Sequence, residues 1–219
     1  MHQSSIVKAE EGGDNTIRLV VVGDLEAGKQ SFFESIPNST DASIGLRILT
    51  TKQIQVNFHG EEGEEYKCEN MLIYDTPALN ERIKGPLRKW IHAADGVLYI
   101  FNPSSSKSWT TLSDFLSDEL KTLGGVKAKP GQPVYVLEHR DDKNEKAEAS
   151  DYDDDSPSIA NDEECEKSSY IRNTYGYLLM KTNSSDGQAI SSILQKMGKE
   201  VRNHKMMKHK QQSFRCSIM

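Results

Sequence analysis

The chain has 219 residues, 36% of them hydrophobic, which allows one sizeable core and is short for two full domains. Its formal charge of -6 averages over two opposed blocks, an acidic stretch from Asp141 to Glu166 and a basic one from Lys196 to Arg215, so the mean charge excludes no partner class by itself. No apolar run approaches the roughly 18 residues of a spanning helix, and the opening MHQSS lacks the basic and apolar regions of a signal peptide, so a cytosolic chain is expected. Cys68, Cys165 and Cys216 show no metal-type spacing and form an odd set, which suits a reducing compartment.

In chain order, residues 1–15 are polar and read as a disordered extension, 16–203 as one folded unit, and 204–219 as a basic tail. Apolar runs and amphipathic stretches alternate through the folded unit. IRLVVVG reads as the first strand, with a helix opening at the turn from Gly28 to Ser31. LRILTTKQIQVNF and YKCENMLIYD read as a strand pair about the polar tip HGEEGEE, and a helix is expected near Glu81 to Ala93. GVLYIFN has no polar face and reads as a buried strand. Trp109, Leu112, Phe115, Leu116 and Leu120 recur at helical spacing. PVYVLE is the next strand, leading to HRDD; an acidic insertion at about 143–161 cannot bury apolar surface and is expected to be mobile. YGYLLM and a helix from about Asp186 to His204 complete the unit. The fold class expected is α/β, a mostly parallel six-stranded sheet with helices on both faces.

VVVGDLEAGKQS places Gly23, then Gly28 and Lys29, in a strand, loop, helix context. Such a loop lets backbone N–H groups wrap phosphates while lysine supplies a compact cation. An ordinary glycine turn with a solvated lysine is the bland alternative. Glu26 puts a carboxylate beside the anion seat, a conflict unless its side chain turns outward.

At these residues the sequence resembles the Ras-like small GTPases, over about Thr16 to Arg202, which implies that the α/β unit has a P-loop NTPase fold. The family has Ser or Thr after the lysine to ligate magnesium; here Gln30 stands there, an amide poorly suited to a tight octahedral shell, and Ser31 comes one position late. DASIGLRI resembles the first switch, with Ser43 as the hydroxyl for magnesium and the terminal phosphate, although a plain loop serine fits nearly as well. LIYDTPALNE resembles DTAGQE: Asp75 would hold magnesium through water, Ala78 keeps the N–H of the family glycine with a stiffer backbone, and Leu79 has no polar atom with which to orient water. In HRDD, Asp142 matches the guanine-reading carboxylate, Arg140 can cover the base, and His139 replaces a bracing asparagine. HRDxxxxN of a protein kinase is rejected, since its last position holds Lys146 and no kinase glycine loop is present. Asn183, Ser184 and Ser185 align with SAK, where a polar turn explains them equally well. The resemblance thus implies a guanine-nucleotide seat formed by Gly23, Glu26, Ala27, Gly28, Lys29, Gln30, Ser31, Asp75, Ala78, Arg140, Asp142, Ser184 and Ser185. It also implies GTP or GDP with a weakened Mg2+ site at Ser43, Asp75 and Gln30, and slow hydrolysis.

The last four residues, CSIM, fit C-a-a-X with Met at the end and predict farnesylation of Cys216. One lipid anchors only marginally, so Lys205, Lys208, Lys210 and Arg215 are read as the second, electrostatic signal. A lipid-anchored guanine-nucleotide switch on the cytoplasmic face of a membrane is the first expectation, with effector and regulatory proteins as partners and no nucleic acid. A pseudo-GTPase acting as a membrane-anchored interaction module without turnover is the second.

Overall fold

The computed structural model describes residues 16–41, 50–58, 67–122, 131–140 and 160–216, with backbone alone for 58, 67, 119–122, 160–165 and 209–216. Twelve elements are described: strands β1 (Ile17–Val22), β2 (Thr40–Asp41), β3 (Thr51–Phe58), β4 (Lys67–Asp75), β5 (Gly96–Phe101), β6 (Val134–Arg140) and β7 (Leu178–Asn183), and helices α1 (Lys29–Glu34), α2 (Lys84–Ala93), α3 (Ser106–Thr122), α4 (Ala160–Tyr175) and α5 (Gly187–Cys216). The strands form one sheet in the order β2-β3-β4-β1-β5-β6-β7. Pairings β1·β4, β1·β5, β5·β6 and β6·β7 are parallel, while β2·β3 and β3·β4 are antiparallel. The architecture is α/β with a mixed sheet of seven strands rather than the six expected; the extra strand is the two-residue edge strand β2.

Strand periodicity divides the core into two layers. Ile17, Leu19 and Val21 of β1 face α1 and α5, packing with Phe32, Ile190, Leu194 and Met197. Val20 and Val22 point the other way, toward Leu87 and Ile91 of α2, Leu112 and Phe115 of α3, and Ile171 of α4. A strand covered on both sides has no solvent face, which is why β1 and β5 are apolar at nearly every position and β6 is apolar from Val134 to Leu137. β3 alternates instead: Ile54 and Val56 enter the core while Gln55 and Asn57 stay exposed.

Several element boundaries differ from expectation. Helix α2 starts at Lys84 because Asn80 Oδ1 accepts from the N–H groups of Arg82 and Ile83, holding residues 80–83 in a turn. Helix α4 was not expected, and its first residues, Ala160 and Asn161, belong to the acidic stretch read as an insertion. The rest of that insertion lies outside the described residues. Helix α5 continues past His204 to Cys216, crossing the boundary expected between folded unit and tail.

Candidate functional site

β1 lies between β4 and β5, where the strand order changes direction, and ligands of open α/β sheets bind beyond the carboxyl end of such a strand. Residues 23–28 fill that position. A Cβ on Gly23 would lie 2.6 Å from the Ile100 carbonyl oxygen and 2.7 Å from Ala27 Cβ, so only glycine lets the loop pass the end of β5. Gly28 has φ 76° and ψ 20°, a left-handed conformation that costs side-chain-bearing residues about 1–2 kcal/mol. Its carbonyl accepts the first helical bond, from Phe32 N at 3.0 Å. Among the described residues the N–H groups of Gly28, Lys29 and Gln30 have no protein acceptor.

Lys29 turns back into the loop. Its Nζ donates to the carbonyls of Gly23 at 3.0 Å and Asp24 at 3.1 Å, and the residue is only 8% exposed. Burial pushes the ammonium pKa down, opposed by the charges of Asp75 and Asp24. Asp75 ends β4, beside Val21 in the sheet, and its N–H donates to Thr50 O at 2.9 Å. Burial pushes its carboxyl pKa up, opposed by Lys29, and Oδ1 is buried with no hydrogen-bond partner among the described residues. Lys29 and Asp75 therefore feel each other's charge without closing an ion pair among the described residues. A buried carboxylate oxygen without a partner, within electrostatic reach of a buried cation, is costly unless a polar group completes it.

The segment after β4 closes over the loop. Thr76 Oγ1 donates to Val21 O at 2.7 Å, and Leu79 N donates to Gly23 O at 3.0 Å, the same carbonyl that receives Lys29. Ala78 lies between them, its carbonyl accepting from Asn80 Nδ2. Leu79 is buried with Leu87 and Phe101. Its side chain is a core group.

The expected magnesium ligands that are described, Gln30 and Asp75, differ in their surroundings. Gln30 is exposed and its Nε2 donates to Glu34 Oε1 at 2.9 Å, one helical turn on, so its amide is directed along α1. Ser31 Oγ donates to Gly28 O at 2.9 Å and lies 3.1 Å from His139 Nε2. Ser43 lies outside the described residues. No group of three or more His, Cys, Asp or Glu forms a metal cage among the described residues. Among the expected ligands that are described, Asp75 presents a buried oxygen without a partner, while the Gln30 amide is engaged by Glu34.

The distal strands adjoin the same end of the sheet. β6 runs two residues further than PVYVLE, so His139 and Arg140 are strand residues. His139 is fully buried, edge-on to Phe32. Arg140 extends outward, with Nη2 3.7 Å from Glu138 Oε1, and its carbonyl accepts from Ser184 N at 2.9 Å. Ser184 O in turn accepts from Ser35 Oγ at 2.7 Å, joining the end of α1 to the end of β7. Ser185 Oγ donates to Asn183 Oδ1 at 3.0 Å. Asp142 lies outside the described residues, as does the side chain of Cys216.

The partners of Asp24 and Glu26 carry no signal in the sequence. Asp24 is buried, and its Oδ1 accepts from Ser108 Oγ at 2.9 Å. Glu26 turns to α3: Oε1 meets Lys107 Nζ at 2.8 Å and Oε2 accepts from Ser105 Oγ at 2.6 Å. The carboxylate conflict foreseen for Glu26 is thereby relieved. The chain matches no protein-family model and no curated protein, so its function has to be argued from the chemistry of this site.

Proposed function

We propose that the protein binds a nucleotide through its diphosphate at the Gly23–Lys29 loop, as a degenerate P-loop protein of the Ras-like kind. The observation that carries this reading is Lys29: a buried ammonium held by the Gly23 and Asp24 carbonyls, within electrostatic reach of Asp75, whose Oδ1 no described residue satisfies. A phosphate there would meet the cation, and a cation shared with Asp75 would satisfy the orphaned oxygen. Guanine is the proposed base, on the resemblance of HRDD to the family's base-reading segment. The proposed role is a GTP/GDP switch at the cytoplasmic face of a membrane, anchored by farnesylated Cys216 and the basic tail, presenting its surface to effector and regulatory proteins.

Turnover is proposed to be slow. Leu79 is packed in the core and the Gln30 amide bonds Glu34, so neither serves water or magnesium as the corresponding family residues would. The same two observations favour the second reading, a membrane-anchored interaction module that holds nucleotide without hydrolysing it, or holds none. Chromatography of the small molecules released from the gently purified full chain tests both readings. GTP or GDP at near one equivalent supports the first. An empty site, with no thermal stabilisation by GDP, GTP and magnesium, leaves only the module.

A further inference from the structure

Glu26 lies inside the loop, between Gly23 and Gly28, where an unrestrained carboxylate would compete with a phosphate for Lys29 and the loop amides. Both of its oxygens are occupied, by Ser105 Oγ at 2.6 Å and Lys107 Nζ at 2.8 Å. These hydrogen bonds, Lys107 first, hold its carboxyl pKa below the ordinary value. Ser108, the next residue, donates to Asp24 Oδ1, and the Asp24 carbonyl accepts from Lys29. Residues 105–108 therefore grip the loop at Asp24 and Glu26, on either side of Leu25, which is 84% exposed.

We propose that Lys107 and Ser105 are positioning residues for the phosphate loop: they hold the Glu26 carboxylate off the anion seat, neutralise it, and so set the affinity for a nucleoside diphosphate or triphosphate. This rests on the phosphate-binding reading above. A merely structural role is the weaker account, because an ion pair with side chains 70% and 43% exposed contributes little to folding. Its charge nonetheless acts at short range on a polyanion entering the loop. Releasing Glu26 sets one uncompensated negative charge beside that polyanion, which at an aqueous dielectric corresponds to a loss of about fivefold in affinity.

The test is a double-mutant cycle on the full chain, titrating GDP and GTP at low salt against wild type, Lys107→Ala, Glu26→Gln and the double variant, with Lys107→Arg as rescue. The expected result is about fivefold weaker binding by Lys107→Ala with an unchanged melting temperature of the nucleotide-free chain, and wild-type affinity for Lys107→Arg. Glu26→Gln should bind more tightly than wild type, and adding Lys107→Ala to it should change nothing. Equal weakening by Lys107→Ala in both backgrounds, no effect of Lys107→Ala in either, or weaker binding by Glu26→Gln would each overturn the clamp while leaving nucleotide binding intact. Failure of the wild type to bind either nucleotide removes the underlying reading and the clamp together.

Discussion

Ser31 Oγ and His139 Nε2 lie 3.1 Å apart in the interior, joining the first turn of α1 to the end of β6 across 108 residues of sequence. The contact ties the turn from Gly28 to Ser31 to the end of β6. A Cβ on Gly28 would stand 3.1 Å from His139 Cδ2, so the imidazole also walls the left-handed residue of the loop. Removing the fully buried ring in His139→Ala leaves a cavity and deprives Ser31 of a partner, with an expected loss of about 3 kcal/mol in urea unfolding. A loss below about 1 kcal/mol would show that the contact does not anchor the loop.

Gly28→Ala forces a side chain into positive φ and against that ring. The expected cost is about 1–2 kcal/mol of stability. Nucleotide binding should fall more than stability does, because the displaced segment carries Lys29. Calorimetric titration with GDP beside thermal melts separates the two effects, and undiminished GDP affinity would contradict the proposed seat.

Lys29→Met keeps most of the buried stem and removes the charge. Burial lowers the ammonium pKa, so the fold bears a cost for holding Lys29 charged, and the nucleotide-free variant should melt at or above the wild-type temperature. Nucleotide affinity should drop by roughly a hundredfold, the equivalent of losing charge-assisted bonds to phosphate. A variant that melts much lower yet still binds GDP would assign Lys29 a structural role.

Lys205 was read as part of the membrane signal, but its Nζ lies 3.0 Å from both Thr16 O and Asp95 Oδ2. It ties α5 to the start of β1 and the turn before β5. Lys205→Ala should therefore cost about 0.5–1 kcal/mol in stability, discounted for partial exposure, and barely change binding to anionic vesicles. Lys208 is exposed in the same helix, and Lys208→Ala should show the reverse, weakening vesicle binding of chain farnesylated in vitro about fivefold without altering its melt. Equal vesicle defects for the two lysines would return Lys205 to the membrane signal.

His204 packs against Gly131, and its pKa is lowered by burial and by the charge of Lys208. Its Nε2 has no hydrogen-bond partner among the described residues. The unfolded chain therefore takes up this proton first as pH falls. The contribution of His204 is full above its ordinary value of 6.5 and is lost as pH drops from there toward the folded value. His204→Gln should flatten the stability profile across that window; an unchanged slope in denaturation between pH 5 and 7 would exclude the effect.

The readable parts of the molecule are those that repeat locally. The runs IRLVVV, GVLYIF and VYVLE are apolar because both sheet faces are covered, so a short window of sequence carries the whole signal. Gly23, Gly28 and Lys29 are legible because one loop must satisfy their backbone demands in sequence. Helix α4 was illegible: of its described side chains only Ile171 is fully buried, and its tyrosines pack on Trp109 and on one another at the surface. The length of α5 beyond His204 was hidden for a similar reason, since Met206, Met207 and Lys208 are exposed and show no buried stripe.

What the sequence determined by itself is therefore the α/β alternation and the candidate phosphate loop, each set by neighbours within a few residues. The tertiary structure decided which polar groups meet. The strand order brings α3 over the end of β1, so Glu26 finds Ser105 and Lys107 some 79 and 81 residues away. It also buries His139 on Ser31, sets Gln30 on Glu34, and leaves Asp75 with an oxygen that no described residue satisfies. Periodicity is a property of a segment, whereas the partner of a buried polar atom depends on which strands lie side by side.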